Sequence, residues 1–525
     1  MRFMVDRKNP DPFKGTHFKF LGRWIHPSLS EKEVKKRTRL RFEKEIALVD
    51  EAKINGFMKL WLYQFYLLPH LSWPFMVQDF NRDFAATLTL SVSTTLKKWA
   101  GLFRNADVGS LFRSRQTLGL GLTSVVDYYE RMQLIKCCLL QHSKDRQVVA
   151  VFESRQNKQL TETGRVWRAT AVTRRLESDV AHQLKFPTQQ GRLGLGSGNF
   201  NPNPSTAEKR ALVVSASRLQ AQQRYQVHAH SLALQGAWLK WADTVAPFDL
   251  SWKNLIYGNV SHVIRFILNA TINCAATPDM YKLWGYKAVA NCPLCNKKQC
   301  TLHHILSNCD ASLKSKRYTW RHDSVLSSIE PVLRGHIEKW NKSASVASIP
   351  HISRSFVPAG HVEQKTAPVS GERTALEGAH DWNLLVDYDH LPIVFPPEIT
   401  ATPQRPDVVI WSVKAHKVIL IELTCPAEEG IDPAHIRKVA RYEPLCTQIS
   451  QTQPKWNPLL MTIEVGARGF VAHSVRRCFR RLGISKRGVR TLIRNLSEVV
   501  ARCSYAIYLA RSSIAWQQRN LITVQ

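Results

Sequence analysis

Apolar and polar positions recur with a helical period over much of the 525-residue chain. From Thr38 to about Leu68, charged faces give way to an apolar helix, and another helical run covers Leu88 to Phe103. The stretch "RQTLGLGLTS" (Arg115–Ser124) breaks the pattern before "VVDYYERMQLIKCCLLQ" resumes it. Residues 190–206, "QGRLGLGSGNFNPNPST", are rich in Gly, Asn and Pro and mark a boundary. Their glycines do not fit a phosphate-loop spacing, and a proline-bearing loop follows in place of a helix. Helical periods return over Ala207–Ala242, Leu255–Leu268 and about Lys316–Trp340. Residues 341–375 carry no period and read as a flexible linker. From Asp381 onward strand-like runs mix with helices, and no internal repeat is visible.

One segment imitates a membrane span, "MKLWLYQFYLLPHLSWPFMV" (Met58–Val77). Pro69, His70 and Pro74 interrupt it and Lys59 and Gln64 lie inside it, short of the uninterrupted run of about 20 apolar residues a span needs. It is expected to be a buried, aromatic-rich helix with its exit turn. A content of 44% hydrophobic residues supplies real cores, which argues against wholesale disorder. The net charge of +32 is spread along the chain rather than confined to a tail. Solubility or an acidic membrane would also use such charge, but nucleic acid is the partner it favours. The odd count of 11 cysteines and the lack of a secretory opening suggest a reduced, intracellular setting.

The stretch "CPLCNKKQCTLHHILSNC" contains Cys292-x2-Cys295 followed by His304-x4-Cys309. Two cysteines on a tight turn can face one ion, and a histidine and cysteine little more than a helical turn apart complete a tetrahedron. Ordinary reduced thiols are the bland alternative. Cys300 and His303 are spare donors nearby, so the fourth ligand stays open between them and the set named. Four protein ligands close the coordination sphere, which makes the expected Zn²⁺ structural.

In "RPDVVIWSVKAHKVILIELTCP" (Arg405–Pro426) an aliphatic run carries Asp407 at its start and Glu422 in its midst. An unpaired acid is costly there, so it has a partner or holds a metal. Arg405–Val413 and Lys417–Thr424 read as a hairpin joined by "KAH". A turn centred between Lys414 and Ala415 sets Asp407 opposite Glu422, about 4.5 to 5.5 Å apart at Cβ. That suits two carboxylates on one Mg²⁺. The register is an inference, because Lys-Ala is not a preferred two-residue turn. Asp432 and Pro433 then open a helix that carries Lys438 and Tyr442 on one face. An acid pair followed by such a lysine and tyrosine can form a metal-dependent phosphodiesterase. The competing reading is a structural hairpin, with Asp407 as a cap and Glu422 in a salt bridge.

Pro406-Asp407 and Glu422 resemble the start and second acid of the PD-(D/E)xK nuclease signature. The signature's usual lysine position is Thr424 here. A lysine displaced to the next helix, Lys438, with Tyr442 one turn on, resembles the restriction-like endonuclease of site-specific non-LTR retrotransposons. In that family a CCHC zinc motif precedes the nuclease, as Cys292, Cys295, His304 and Cys309 do. "RYTWRHDSVL" (Arg317–Leu326) resembles its connecting helix, and "IEVGARGFVAHSVRRCFRRLG" (Ile463–Gly483) the strand and helix that close its nuclease domain. "FKFLGRWI" (Phe18–Ile25) resembles the end of a reverse-transcriptase palm. No Tyr/Phe-x-Asp-Asp occurs in the sequence, so polymerase activity is not expected. The resemblance thus implies the C-terminal part of such a polyprotein.

The expected organisation is multidomain. Residues 1–150 form a palm end and thumb-like helical region, and 151–280 a helical linker region with the flexible segment 190–206. Residues 281–340 hold the zinc motif and its following helix, 341–375 the linker, and 376–525 an α/β PD-(D/E)xK nuclease-like domain. The implied function is Mg²⁺-dependent nicking of target DNA, so that the freed end primes reverse transcription. The catalytic residues would be Asp407, Glu422, Lys438 and Tyr442, with Asp407 and Glu422 as metal ligands. DNA and RNA are the expected partners and the nucleus the expected setting, with no membrane role; the sequence does not give the oligomeric state. Two alternatives remain: a catalytically idle, zinc-dependent nucleic-acid-binding remnant, and a decayed copy without function.

Overall fold

The computed structural model describes residues 18–20, 23–25, 30–141, 143–159, 205–258, 261–343, 374–388 and 394–516. The glycine-rich segment through residue 204 and the linker between 344 and 373 lie outside the described residues. The chain divides into two compact units: residues 1–236 with 255–257, and residues 237–254 with 258–525.

Among the described residues, the helices of the first unit are accompanied by a single short antiparallel hairpin, β1 (Phe18–Phe20) with β2 (Arg23–Ile25). Helix α1 (Lys32–Glu51) is strongly charged, and Arg37, Arg39 and Arg41 pair with Glu33, Glu43 and Glu45 along it. The segment Met58–Val77 stays in successive helical turns rather than one straight rod. Only one side of it is buried. Leu60, Tyr63, Leu67, Leu71 and Phe75 face inward, whereas Trp61, Phe65, Tyr66 and Trp73 are exposed. The expectation of a buried, aromatic-rich helix with its exit turn holds for one face only; its period buries one stripe and leaves the other aromatics outside. Helix α2 (Val125–Gln141) and helix α3 (Thr206–Ser231) are clipped together by Arg224, whose guanidinium donates to Asp127 at 2.8 Å and Glu130 at 2.7 Å. Helix α3 ends at Ser231 rather than at Ala242, and the residues after it form short 3-10 turns.

The second unit holds helices and a four-stranded mixed sheet. The strand order is β3 (Asn383–Val386), β4 (Val408–Ser412), β5 (Lys417–Thr424) and β6 (Asn457–Glu464). The first three run antiparallel, and β6 lies parallel to β5. A parallel neighbour needs a crossover, and the helix Ile431–Thr452 supplies it. Both faces of β5 are covered, which is why it reads as an almost continuous apolar run. Ile419, Ile421 and Leu423 face one core. Val418 and Leu420 face the other, with Tyr442, Leu445 and Ile449 of the crossover helix.

The helix Arg317–Lys342 lays Val325, Leu326, Ile329, Leu333 and Ile337 into the first of these cores. The sequence pattern separates that helix and its zinc motif (281–340) from the sheet region (376–525), but here they belong to one compact unit. An amphipathic stripe shows that a helix has a buried side without naming what covers it. Among the described residues, no helix is long and apolar enough to cross a membrane.

Candidate functional site

The Cys–His motif is built from a knuckle turn and a short helix. Cys292 N–H donates to the Lys297 carbonyl at 2.9 Å, and Asn296 N–H returns to the Cys292 carbonyl at 2.9 Å. Asn296 takes a left-handed φ of 58° to close that turn, a conformation asparagine tolerates better than most residues. Thr301 caps the helix Leu302–Ser307 by accepting from His304 N–H at 3.2 Å. Cys292 Sγ then lies 3.9 Å from Cys309 Sγ, and Cys295 Sγ lies 3.3 Å from His304 Nε2. Donor atoms of Cys292, Cys295, His304 and Cys309 all lie within 4.8 Å of one another. This is the expected quartet, and it fits zinc in number and chemistry. Cys300 and His303 fall outside it.

The surroundings favour the metal-binding form of His304 and Cys292 but not of Cys295. Burial lowers the pKa of His304, assisted by Lys297, which keeps the imidazole neutral as a ligand must be. Burial opposes ionisation of Cys292, but the Cys295 and Leu294 N–H groups outweigh it and hold that thiol below its ordinary value. Burial pushes Cys295 up to about 11. Tyr318 closes the module from behind, accepting from Cys309 N–H at 3.1 Å and donating to the Ile305 carbonyl at 2.9 Å.

The acid pair sits at one end of β4 and β5. Val408 pairs with Ile421 and Val409 with Leu420, the register expected from a turn centred between Lys414 and Ala415. The turn itself differs. Four residues, Val413–His416, join Ser412 to Lys417, and His416 takes a φ of 46°. A longer loop about the same centre spares Lys-Ala the strained two-residue geometry.

Continuing that register brings Asp407 beside Glu422, and the Asp407 N–H donates to Glu422 Oε2 at 3.2 Å. Asp407 Oδ2 accepts from Leu423 N–H at 2.7 Å. Upstream, Arg405 grips Asp387 at 2.6 and 2.9 Å, and Asp387 N–H donates to the Asp407 carbonyl at 2.8 Å. These bonds fix the segment that delivers Asp407.

Glu422 is 2% exposed. Lys438 is ion-paired with its Oε1. Lys438 occupies the inward stripe of its helix with Ala434, Tyr442, Leu445 and Ile449, where an apolar side chain would ordinarily stand. A buried carboxylate on the strand thus faces a half-buried lysine on the crossover helix. Burial raises the pKa of Glu422, with Asp407 adding to it, and the carboxyl is pushed up to about 7. Tyr442 is buried and donates to the Arg405 carbonyl at 2.9 Å; burial and then Glu422 raise its pKa.

All four expected residues therefore meet in one place. Two neighbours were not legible in the sequence. His322, from the helix Arg317–Lys342, lies 3.4 Å from Asp407 Oδ2 and 3.2 Å from Asp323. Burial lowers its pKa, but hydrogen bonds to Asp323 and Asp407 prevail and push it up to about 10. Glu464 is buried on β6, accepts from Ser474 Oγ and stands 3.4 Å from His435 Nδ1.

No protein-family model matches the chain, and no curated protein matches it either.

Proposed function

We propose that the second unit is a metal-dependent DNA endonuclease of the restriction-like PD-(D/E)xK type, as in site-specific non-LTR retrotransposons, carrying a structural zinc module. The observation that supports this reading is the convergence of Asp407, Glu422, Lys438 and Tyr442 at one end of a strand pair and its crossover helix. A buried carboxylate whose cation partner is only half-buried costs stability, and such a cost is commonly retained at working sites.

Asp407 and Glu422 offer hard oxygen donors, the chemistry Mg²⁺ takes. Asp407 Oδ2 and both Glu422 oxygens are already engaged, while Asp407 Oδ1 accepts no hydrogen bond among the described residues. A divalent cation held there would supply positive charge beside a scissile phosphodiester. Lys438 orients Glu422 and carries a cation to where negative charge grows on the phosphate. Tyr442 holds the Arg405 carbonyl and so steadies the segment that leads into Asp407. His322 holds Asp407 from the opposite side.

A second reading, an idle zinc-dependent nucleic-acid-binding remnant, draws on the Lys438–Glu422 pair, since a neutralised carboxylate needs no metal. Single-turnover cleavage with Lys438→Met separates the two. Under the nuclease reading the rate falls by roughly 100-fold, the range removal of one transition-state charge produces, while DNA affinity changes little. DNA binding without any cleavage by the wild type would favour the remnant, and an unchanged rate in the variant would remove Lys438 from the chemistry.

A further inference from the structure

A second feature of this unit lies apart from the acid residues. The helices His473–Arg481 and Lys486–Leu509, with residues 246–249 and 254, line a cavity of about 340 Å³. His473 and Arg476 reach it from the first helix, and Arg490 and Arg494 from the second. Asp249 and Glu498 also line it, but Asp249 is engaged by the Ser251 N–H at 3.0 Å and Glu498 has a partner of its own. The arginines are exposed.

Solvated helix arginines can be neutralised by nearby carboxylates, as Arg37, Arg39 and Arg41 are four residues from their glutamates in the first unit. Arg476, Arg490 and Arg494 make no ion pair among the described residues. Arg490 and Arg494 are instead four apart on one helix, a spacing at which like charges repel. Three guanidinium groups and His473 outnumber the two carboxylates of this concavity, an excess of positive charge that suits a polyanion whose charges arrive one phosphate at a time. The guanidinium fork matches a phosphate bidentately. A flat bilayer surface suits an apolar helix face with basic flanks, and this recess is neither flat nor apolar-faced.

We propose that this cavity seats the backbone phosphates of a nucleic-acid strand, as a docking site distinct from the acid pocket. The seat needs no cleavage, so its failure and that of the nuclease reading are separable.

The test is binding of the full chain to a labelled 30-base-pair DNA duplex without added Mg²⁺, across a salt series. The variant R476Q/R490Q/R494Q is compared with R37Q/R39Q/R41Q, which removes the same charge from paired positions. The cavity variant should bind roughly tenfold more weakly near 0.1 M salt, with a log K against log salt slope flatter by about 2 to 3, since each phosphate contact contributes about 0.9. The paired-arginine variant should stay within about twofold of wild type. Because these side chains are exposed, both variants should melt as wild type does. Equal weakening of both variants would reduce the effect to bulk charge and overturn the seat, as would an unaffected cavity variant. Retained DNA affinity with lost binding to phosphatidylserine vesicles would overturn it in favour of a membrane.

Discussion

Glu422 concentrates the energetic tension of the second unit. Its carboxyl is pushed up from 4.5 to about 7, chiefly by burial. A raised folded pKa means that the stability linked to the protonated form is complete below about 4.5 and lost as pH climbs through about 7. Glu422→Gln keeps the shape and removes the titration. It should therefore be more stable than wild type at pH 8, by on the order of 2 kcal/mol, and nearly equal to it at pH 4.5. Urea unfolding at both pH values checks this, and parallel stability profiles for the two proteins would contradict it. The acid was legible in the sequence because a carboxylate within an aliphatic strand is conspicuous. His322, which touches Asp407, was not, because it comes from a helix far upstream whose packing on the sheet no local pattern declares.

At the scale of elements, the hairpin register was readable and its loop was not. The centre of the turn between two apolar runs set which residues face each other, whereas the loop Val413–His416 depends on a left-handed histidine that turn preferences do not anticipate. The parallel partner β6 was hidden too, since its crossover places it beside β5 only in three dimensions. The Cys–His module behaved otherwise: close spacing let the quartet be named with its numbers. Purified protein should contain one zinc per chain by elemental analysis. Cys292→Ser should abolish it and unfold roughly residues 285 to 315, because site assembly and local folding are one process. Cys300→Ser should keep the zinc, as Cys300 stands outside the quartet. Zinc loss from the second variant, or zinc-free wild-type protein, would refute the assignment.

At the scale of the whole molecule, a net charge of +32 gives a nucleic-acid partner a reason to approach, and two compact units divide the chain. The sequence pattern suggested a zinc module and a nuclease-like domain joined in series, whereas the Cys–His motif, the helix Arg317–Lys342 and the sheet fall in one compact unit, and that helix shares a core with the sheet. What the charge cannot supply is chemistry, which rests on the acid pocket alone. The decisive measurement is nicking of supercoiled plasmid by zinc-loaded full-length protein with Mg²⁺, beside Asp407→Ala prepared identically. The account predicts open-circular product from wild type, dependent on the divalent cation, and a loss of at least about 100-fold in the variant. Absence of cation-dependent nicking by a folded, DNA-binding wild type would contradict it, and so would equal nicking by Asp407→Ala.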